Sequence, residues 1–176
     1  MVSIKQMNFT RDGELPSIID VCCGSKKFWY DKEDSRALFM DIRKESHILP
    51  DKSYSSGQRT ITINPDLVAD FTNMPFEDNS FKLVVFDPPH LVKVGRNSYI
   101  AKSYGQLPEN WRDVLRKGFK ECFRILETEG ILIFKWNEVQ IQLNQILKLT
   151  ENKPLFGHRT GKHSKTHWVT FMKGVK

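Results

Sequence analysis

The sequence predicts an α/β fold, a mostly parallel sheet with helices on both faces, and three observations carry the prediction. Short apolar runs recur along the chain and end in acidic residues; a long amphipathic stretch separates two of these runs; and two strand-like runs flank a glycine-containing loop near the C-terminus. Apolar strands interleaved with helices are the pattern of a covered parallel sheet. With 176 residues and 39% hydrophobic content, the chain is long enough for one well-buried domain and short for two. Residues 1–176 are therefore expected to form a single domain.

The elements follow in order. Ser17 to Cys22, Ala37 to Asp41, Asp66 to Asp70 and Phe81 to Asp87 read as buried strands. Trp111, Val114, Leu115, Gly118, Phe119, Cys122, Phe123 and Leu126 recur at helical spacing, with Pro108 before them and Gly130 beyond, which predicts one long helix. Ile131 to Trp136 is a fifth strand. Asn137 is placed to cap a second helix carrying Ile141, Leu143, Ile146, Leu147 and Leu149, with Gln140 in the capping-box position. Pro154 to Phe156 and His167 to Met172 then form an antiparallel hairpin around the loop 157–167.

Composition narrows the function classes. No apolar run reaches the roughly 18 residues of a membrane span, and MVSIKQMNFTRDGELP lacks the apolar core of a signal peptide. A soluble, cytoplasmic protein that does not engage a membrane is expected. The cysteines Cys22, Cys23 and Cys122 match no zinc spacing, so they are expected to be reduced and buried, and no metal site is predicted. The net charge of +6 is uneven: residues 151–176 hold six Lys or Arg against one acid. Basic residues in a loop with two glycines suit a polyanion, since each phosphate neutralised releases counterions. Arg159, Lys162 and Lys165 are the candidate contacts.

In a parallel sheet, ligands bind at the carboxyl ends of the strands. Four of the predicted strands carry an acid there: Asp20, Asp41, Asp70 and Asp87. In DVCCGSK, residues 20–26, Gly24 lets the backbone approach a ligand. Asp41 lies 21 residues beyond Asp20, where a carboxylate holds a ribose diol. The single glycine, followed by Lys26 and Lys27, argues against the glycine-rich turn that a nicotinamide dinucleotide needs.

These residues carry a resemblance. DVCCGSK resembles the D-x-F-x-G-S-G loop of class I S-adenosylmethionine-dependent methyltransferases, and FDPPH (86–90) resembles the [DNS]-P-P-[YFW] motif of their DPPY-type branch, which methylates N6 of adenine or N4 of cytosine. MPFEDNSFKLVVFD (74–87) is similar to that superfamily's link into its fourth strand. The resemblance runs from about Ile18 through Trp136, and it implies a Rossmann-like, doubly wound sheet of about seven strands. It implies S-adenosyl-L-methionine as cofactor, with Asp20, Cys22 and Gly24 toward its methionine end, Asp41 on the ribose, and Asp70 and Phe71 bordering the adenine. Asp87, Pro88, Pro89 and His90 would form the catalytic pocket. Two departures stand out: Lys26 where the family has glycine, and His90 where it has a larger aromatic ring.

The chemistry of that pocket is simple. An exocyclic amine conjugated to a ring is a poor nucleophile, and two acceptors, the Asp87 carboxylate and the Pro88 carbonyl, would favour a pyramidal nitrogen. Prolines fix φ and remove competing N–H groups, and a flat side chain stacks on an extruded base. Residues 92–110, with Arg96, Tyr99, Lys102 and Tyr104, are expected to be a lid that contacts substrate. Residues 1–16 form an N-terminal arm, in which Asn8, Phe9 and Thr10 are further candidate cofactor contacts.

The expected activity is methyl transfer to an exocyclic amine of adenine or cytosine in DNA, with RNA a close second. A small molecule, a protein amide, or a non-catalytic nucleic-acid-binding adaptor role stands as the alternative. With no separate recognition module, specificity would rest on the two loops, a homodimer or a partner subunit.

Overall fold

The computed structural model describes residues 15–95 and 98–174. Its main sheet has seven strands in the order β5-β2-β1-β6-β7-β9-β8. In chain order the strands are β1 (Ile18–Asp20), β2 (Ala37–Asp41), β3 (Glu45–Pro50), β4 (Gln58–Ile63), β5 (Leu67–Val68), β6 (Phe81–Phe86), β7 (Leu126–Asn137), β8 (Phe156–Arg159) and β9 (Thr166–Met172). The helices are α1 (Tyr99–Tyr104), α2 (Trp111–Ile125) and α3 (Leu143–Leu147). Strands β5, β2, β1, β6 and β7 run parallel, and β9 and β8 close the sheet as an antiparallel hairpin. No helix among the described residues is long and apolar enough to cross a membrane.

One face of the sheet is a dense apolar core. Ile19, Val84 and Leu132 lie in register across β1, β6 and β7, and all three are fully buried. Helix α2 lays Leu115, Phe119 and Cys122 over them, and the Phe119 ring sits 5.4 Å from Phe86 and 5.0 Å from Phe134. Gly118 makes this approach possible: a Cβ there would come within 2.8 Å of the Phe71 and Phe86 rings. Arg124, in the last turn of α2, donates to the Met74 and Phe76 carbonyls at 2.9 and 2.6 Å, pinning the link into β6.

The opposite face is covered differently. The connection from β1 to β2 runs through turns, because GSKKFWYDKEDSR has no apolar helical period. Its aromatic residues supply the cover: the Trp29 ring meets Phe39 edge-on at 4.8 Å, and Phe28 meets Trp168 at 5.4 Å.

Three details differ from the sequence expectation. Residues 45–63 form a separate antiparallel hairpin, β3–β4, for which no element had been assigned. The lid segment contains α1, capped by the Ser98 hydroxyl, which accepts from the Ala101 N–H. The second helix is only Leu143–Leu147: Asn137 bonds the Val139 N–H instead, and Gln140 leaves the capping box to clamp residues 92 and 93 through their backbone. Cys22, Cys23 and Cys122 are free thiols; Cys23 and Cys122 are buried and Cys22 is half-buried. Arg96 and residues Asn8, Phe9 and Thr10 lie outside the described residues.

Candidate active site

The carboxyl ends of β1, β2 and β6 converge on a cleft of about 150 Å³, whose walls include Cys22, Gly24, Asp41, Phe71, Asp87, Pro89, Ser103 and Tyr104. Gly24 has φ +51°, a backbone that side chains rarely adopt, and a Cβ added there would meet only the Ser103 carbonyl, at 3.5 Å. Its N–H donates to Asp41 Oδ2 at 2.9 Å, which ties the loop after β1 to the end of β2. Asp41 Oδ1 accepts from the Arg43 N–H and side chain, and Arg43 reaches on to the Lys102 carbonyl at 3.2 Å. This draws α1 down over the cleft. Ser103, buried on the underside of α1, lines the cleft with its hydroxyl near that of Tyr99 on the same helix.

Lys26 answers the question that its sequence position raised. It has φ +53°, as a glycine in that position could, and its side chain turns away from the cleft. The ammonium lies 3.8 Å from the Phe39 ring centroid and donates to the Lys32 carbonyl at 2.8 Å. The buried charge is served by a ring face, a carbonyl and the Glu33 carboxylate at 3.8 Å.

Asp87 is where this cleft meets a second one. The second cavity, about 480 Å³, shares Asp87, Tyr104 and Lys135 with the first and adds His90, Asn137 and Thr166 to its lining. Lys135, from β7, donates to Asp87 Oδ2 at 2.6 Å, with the two side chains 20% and 16% exposed. Burial pushes the Asp87 carboxyl above its ordinary value, and Lys135 pulls it back. Asp87 Oδ1 and the Pro88 carbonyl accept no hydrogen bond among the described residues. Burial, with Lys135 second, holds His90 down at about 4, so its imidazole is neutral at pH 7. Its ring lies 5.7 Å from Tyr104 and 6.4 Å from Trp136.

The remaining expected residues fall in various places. Asp20 lies beneath the loop and not on the cleft wall, with Oδ2 accepting from Trp29 Nε1 at 2.8 Å. Burial raises its carboxyl to about 7. Asp70 caps the Thr72 N–H and does not line the cleft, whereas Phe71 does. Pro88 is buried, and Lys102 contributes its carbonyl to Arg43. Tyr99 faces the β3–β4 hairpin while Tyr104 faces both clefts. Arg159 is exposed at the end of β8, held by Glu138 at 3.0 Å, and Lys162 and Lys165 are exposed on the loop that follows it. That loop is tied to the second cavity, because the Glu138 N–H donates to the Lys165 carbonyl and Thr166 lines the wall.

Sequence reasoning missed Lys135, Arg43 and Ser103. Lys135 left a faint trace as the one charge inside the apolar run ILIFKW, but alternation reads it as a solvent-facing position.

No protein-family model matches the chain, and no curated protein matches it in sequence. Solved structures match it in shape. An N-methyltransferase, NodS, from Bradyrhizobium japonicum superposes with a TM-score of 0.54 at 10% identity, covering 98% of this chain and 93% of that one. An S-adenosylmethionine-dependent methyltransferase from Methanosarcina mazei gives 0.53 at 12% identity over 94% and 97%. The 1,6-didemethyltoxoflavin-N1-methyltransferase of Burkholderia thailandensis, bound to its substrate and S-adenosylhomocysteine, gives 0.53 at 10% identity over 98% and 77%. The chain thus has the fold of S-adenosylmethionine-dependent methyltransferases, with Asp87 and Lys135 at the junction of its two clefts.

Proposed function

We propose that this protein is an S-adenosylmethionine-dependent N-methyltransferase acting on an exocyclic amine of adenine or cytosine in a nucleic acid. The observation that carries the reading is the junction at Asp87, a carboxylate shared by a cofactor-type cleft and a second cavity, with Oδ1 accepting no hydrogen bond among the described residues. The first cleft suits the cofactor in kind: a glycine loop that a ligand can approach, an acid on the neighbouring strand, an aromatic wall at Phe71 and the Ser103 hydroxyl. At about 150 Å³ it falls below the ~300–1,000 Å³ of typical ligand sites, so α1 must shift to admit a nucleoside. Bound there, the cofactor supplies an electrophilic methyl group.

The protein's own residues do the rest. Asp87 Oδ1 and the Pro88 carbonyl accept the two N–H groups of the target amine and steer its lone pair. Lys135 keeps Asp87 ionised and fixed, so the acceptor is in place before the reaction begins. Neutral His90, beside Tyr104, stacks on the base without adding charge next to a nitrogen that becomes cationic. That nitrogen then loses its proton readily to Asp87 Oδ1 or to water. Support for a polymeric substrate comes from Lys162 and Lys165, exposed on a loop tied to the mouth of the second cavity. A small planar amine is the second reading, favoured by the 1,6-didemethyltoxoflavin bound in the Burkholderia neighbour.

The test is transfer of labelled methyl from S-adenosylmethionine to single-stranded DNA, duplex DNA and RNA, followed by digestion to nucleosides. Labelled N-methyladenine or N-methylcytosine, lost in Asp87→Asn, is expected. Label on small amines but on no polynucleotide would select the second reading, and turnover unaffected by Asp87→Asn would overturn the role of the junction.

A further inference from the structure

A third cavity, about 610 Å³, opens between the loop after β1 and the β3–β4 hairpin. It shares Gly24, Ser25 and Lys27 with the cofactor-type cleft, and Tyr99 of α1 forms part of its wall. Its lining carries four cations, Lys26, Lys27, Lys32 and Arg59, against one acid, Glu33, and two of the cations are held chiefly by tyrosine rings. The Lys27 ammonium lies 4.7 Å from the Tyr99 ring centroid and 4.4 Å from that of Tyr104, and it donates to Tyr99 Oη at 2.8 Å. Lys27 has no carboxylate partner among the described residues. The Arg59 guanidinium is flanked by Tyr54 at 4.8 Å and Tyr99 at 4.7 Å, and its carboxylate partner among the described residues, Asp51, lies 2.9 Å from Nε as an ion pair. The Ser25 hydroxyl, buried at the seam between the two cavities, has no hydrogen-bond partner among the described residues.

We propose that this cavity is a phosphate subsite, in which Lys27 and Arg59 bind a phosphate of the substrate while its target base occupies the Asp87 pocket. This rests on the methyl-transfer reading above for the base but not for the phosphate. The guanidinium offers a planar pair of N–H groups that matches phosphate oxygens, and the ammonium offers a point charge. Tyrosine rings interleaved with cations are how proteins hold single-stranded nucleic acid: the cations follow the backbone and an exposed ring takes a base. Tyr54, 48% exposed, is placed for that second role. Helix α1 bridges the two sites, with Tyr99 in this cavity and Tyr104 in the target pocket. A strand lying across α1 would reach both.

The test uses fluorescein-labelled hexathymidylate, which carries phosphates but no exocyclic amine, so its binding is independent of the Asp87 chemistry. Anisotropy titrations across a salt series compare the wild type with the Lys27→Gln/Arg59→Gln double variant and with Thr60→Glu, which places a negative charge in the cavity from an exposed position on β4. Both variants should weaken binding by tenfold or more. The double variant should also flatten the dependence of log K on log salt by about 0.7, the contribution of one single-strand phosphate contact. Thymidine 5′-monophosphate competing as well as the hexamer would assign the site to the phosphate of a free nucleotide; competition needing the hexamer would assign it to a polynucleotide backbone. Unchanged affinity and salt slope in the variants, or no binding of either probe by the wild type, would overturn the subsite. Asp87→Asn should bind hexathymidylate normally, so loss of methyl transfer and loss of phosphate binding are separable.

Discussion

Lys135→Gln removes the partner of Asp87, and the structure sets its consequence. The ion pair is short, 2.6 Å, and both side chains are at least four-fifths covered. Removing one member of a buried pair leaves an uncompensated charge and costs ~3–5 kcal/mol. Because both groups border clefts that water can enter, the low end, about 3 kcal/mol, is expected, a fall in Tm of roughly 6–12 °C for a domain of this size. The direction with pH follows from the same pair. Burial raises the Asp87 carboxyl and Lys135 lowers it. Without the lysine, the carboxyl holds its proton to higher pH, and the acid limb of the methyl-transfer profile moves upward. Thermal melts and kcat/KM across pH measure both effects. The double variant Asp87→Asn/Lys135→Gln should recover most of the stability while methyl transfer stays lost, since no buried charge remains unpaired. A Lys135→Gln protein as stable as the wild type, with an unmoved pH profile, would refute the role assigned to Lys135.

Two further predictions concern the support of the site. An acid whose pKa is higher when folded holds its proton more tightly in the folded state, so Asp20, raised from 3.8 to about 7, weakens the fold as pH rises between those values. Its full cost is about 4 kcal/mol above pH 7. His90, lowered from 6.5 to about 4, acts in the opposite sense over its own interval. The Tm difference between Asp20→Asn and the wild type should therefore grow in favour of the variant from pH 4 to 7 and then level off; a difference independent of pH would contradict the buried placement of Asp20. Gly118→Ala gains roughly 1 kcal/mol of helix propensity but forces a Cβ to 2.8 Å from Phe71 and Phe86, an overpacking cost of ~1–3 kcal/mol. A lower Tm and weaker cofactor binding, through displaced Phe71, are expected from melts and calorimetry, and unchanged values of both would count against Phe71 as a cleft wall.

The sheet was legible because its strands are simple. Ala37 to Asp41 is an unbroken apolar run ended by an acid, and it folds as a strand with those bounds. Helix α2 showed its apolar stripe over four turns and folds as Trp111–Ile125. The β3–β4 hairpin was left unassigned although RTITIN alternates cleanly, since ESHILP and the turn-rich DKSYSSG give only weak strand signals. The second helix was overcalled because Asn137 and Gln140 have the right spacing for a capping box, while tertiary contacts claim Gln140 for the loop after His90. The acids at the strand ends pointed to the carboxyl edge of the sheet, and Gly24, Asp41 and Asp87 line a cleft there. Sequence spacing could not show that Asp20 and Asp70 turn toward backbone and Trp29, nor that Lys135 arrives from a strand 48 residues beyond Asp87. Those are facts of register between distant segments.

The most direct test of the central claim is calorimetric titration of the protein with S-adenosylhomocysteine, run beside Asp41→Ala. Saturable one-to-one binding that the substitution weakens by tenfold or more is the predicted result, since Asp41 anchors Gly24 and is the residue proposed to hold the ribose. No binding by the wild type, or equal binding by Asp41→Ala, would contradict the assignment of this cleft to the cofactor.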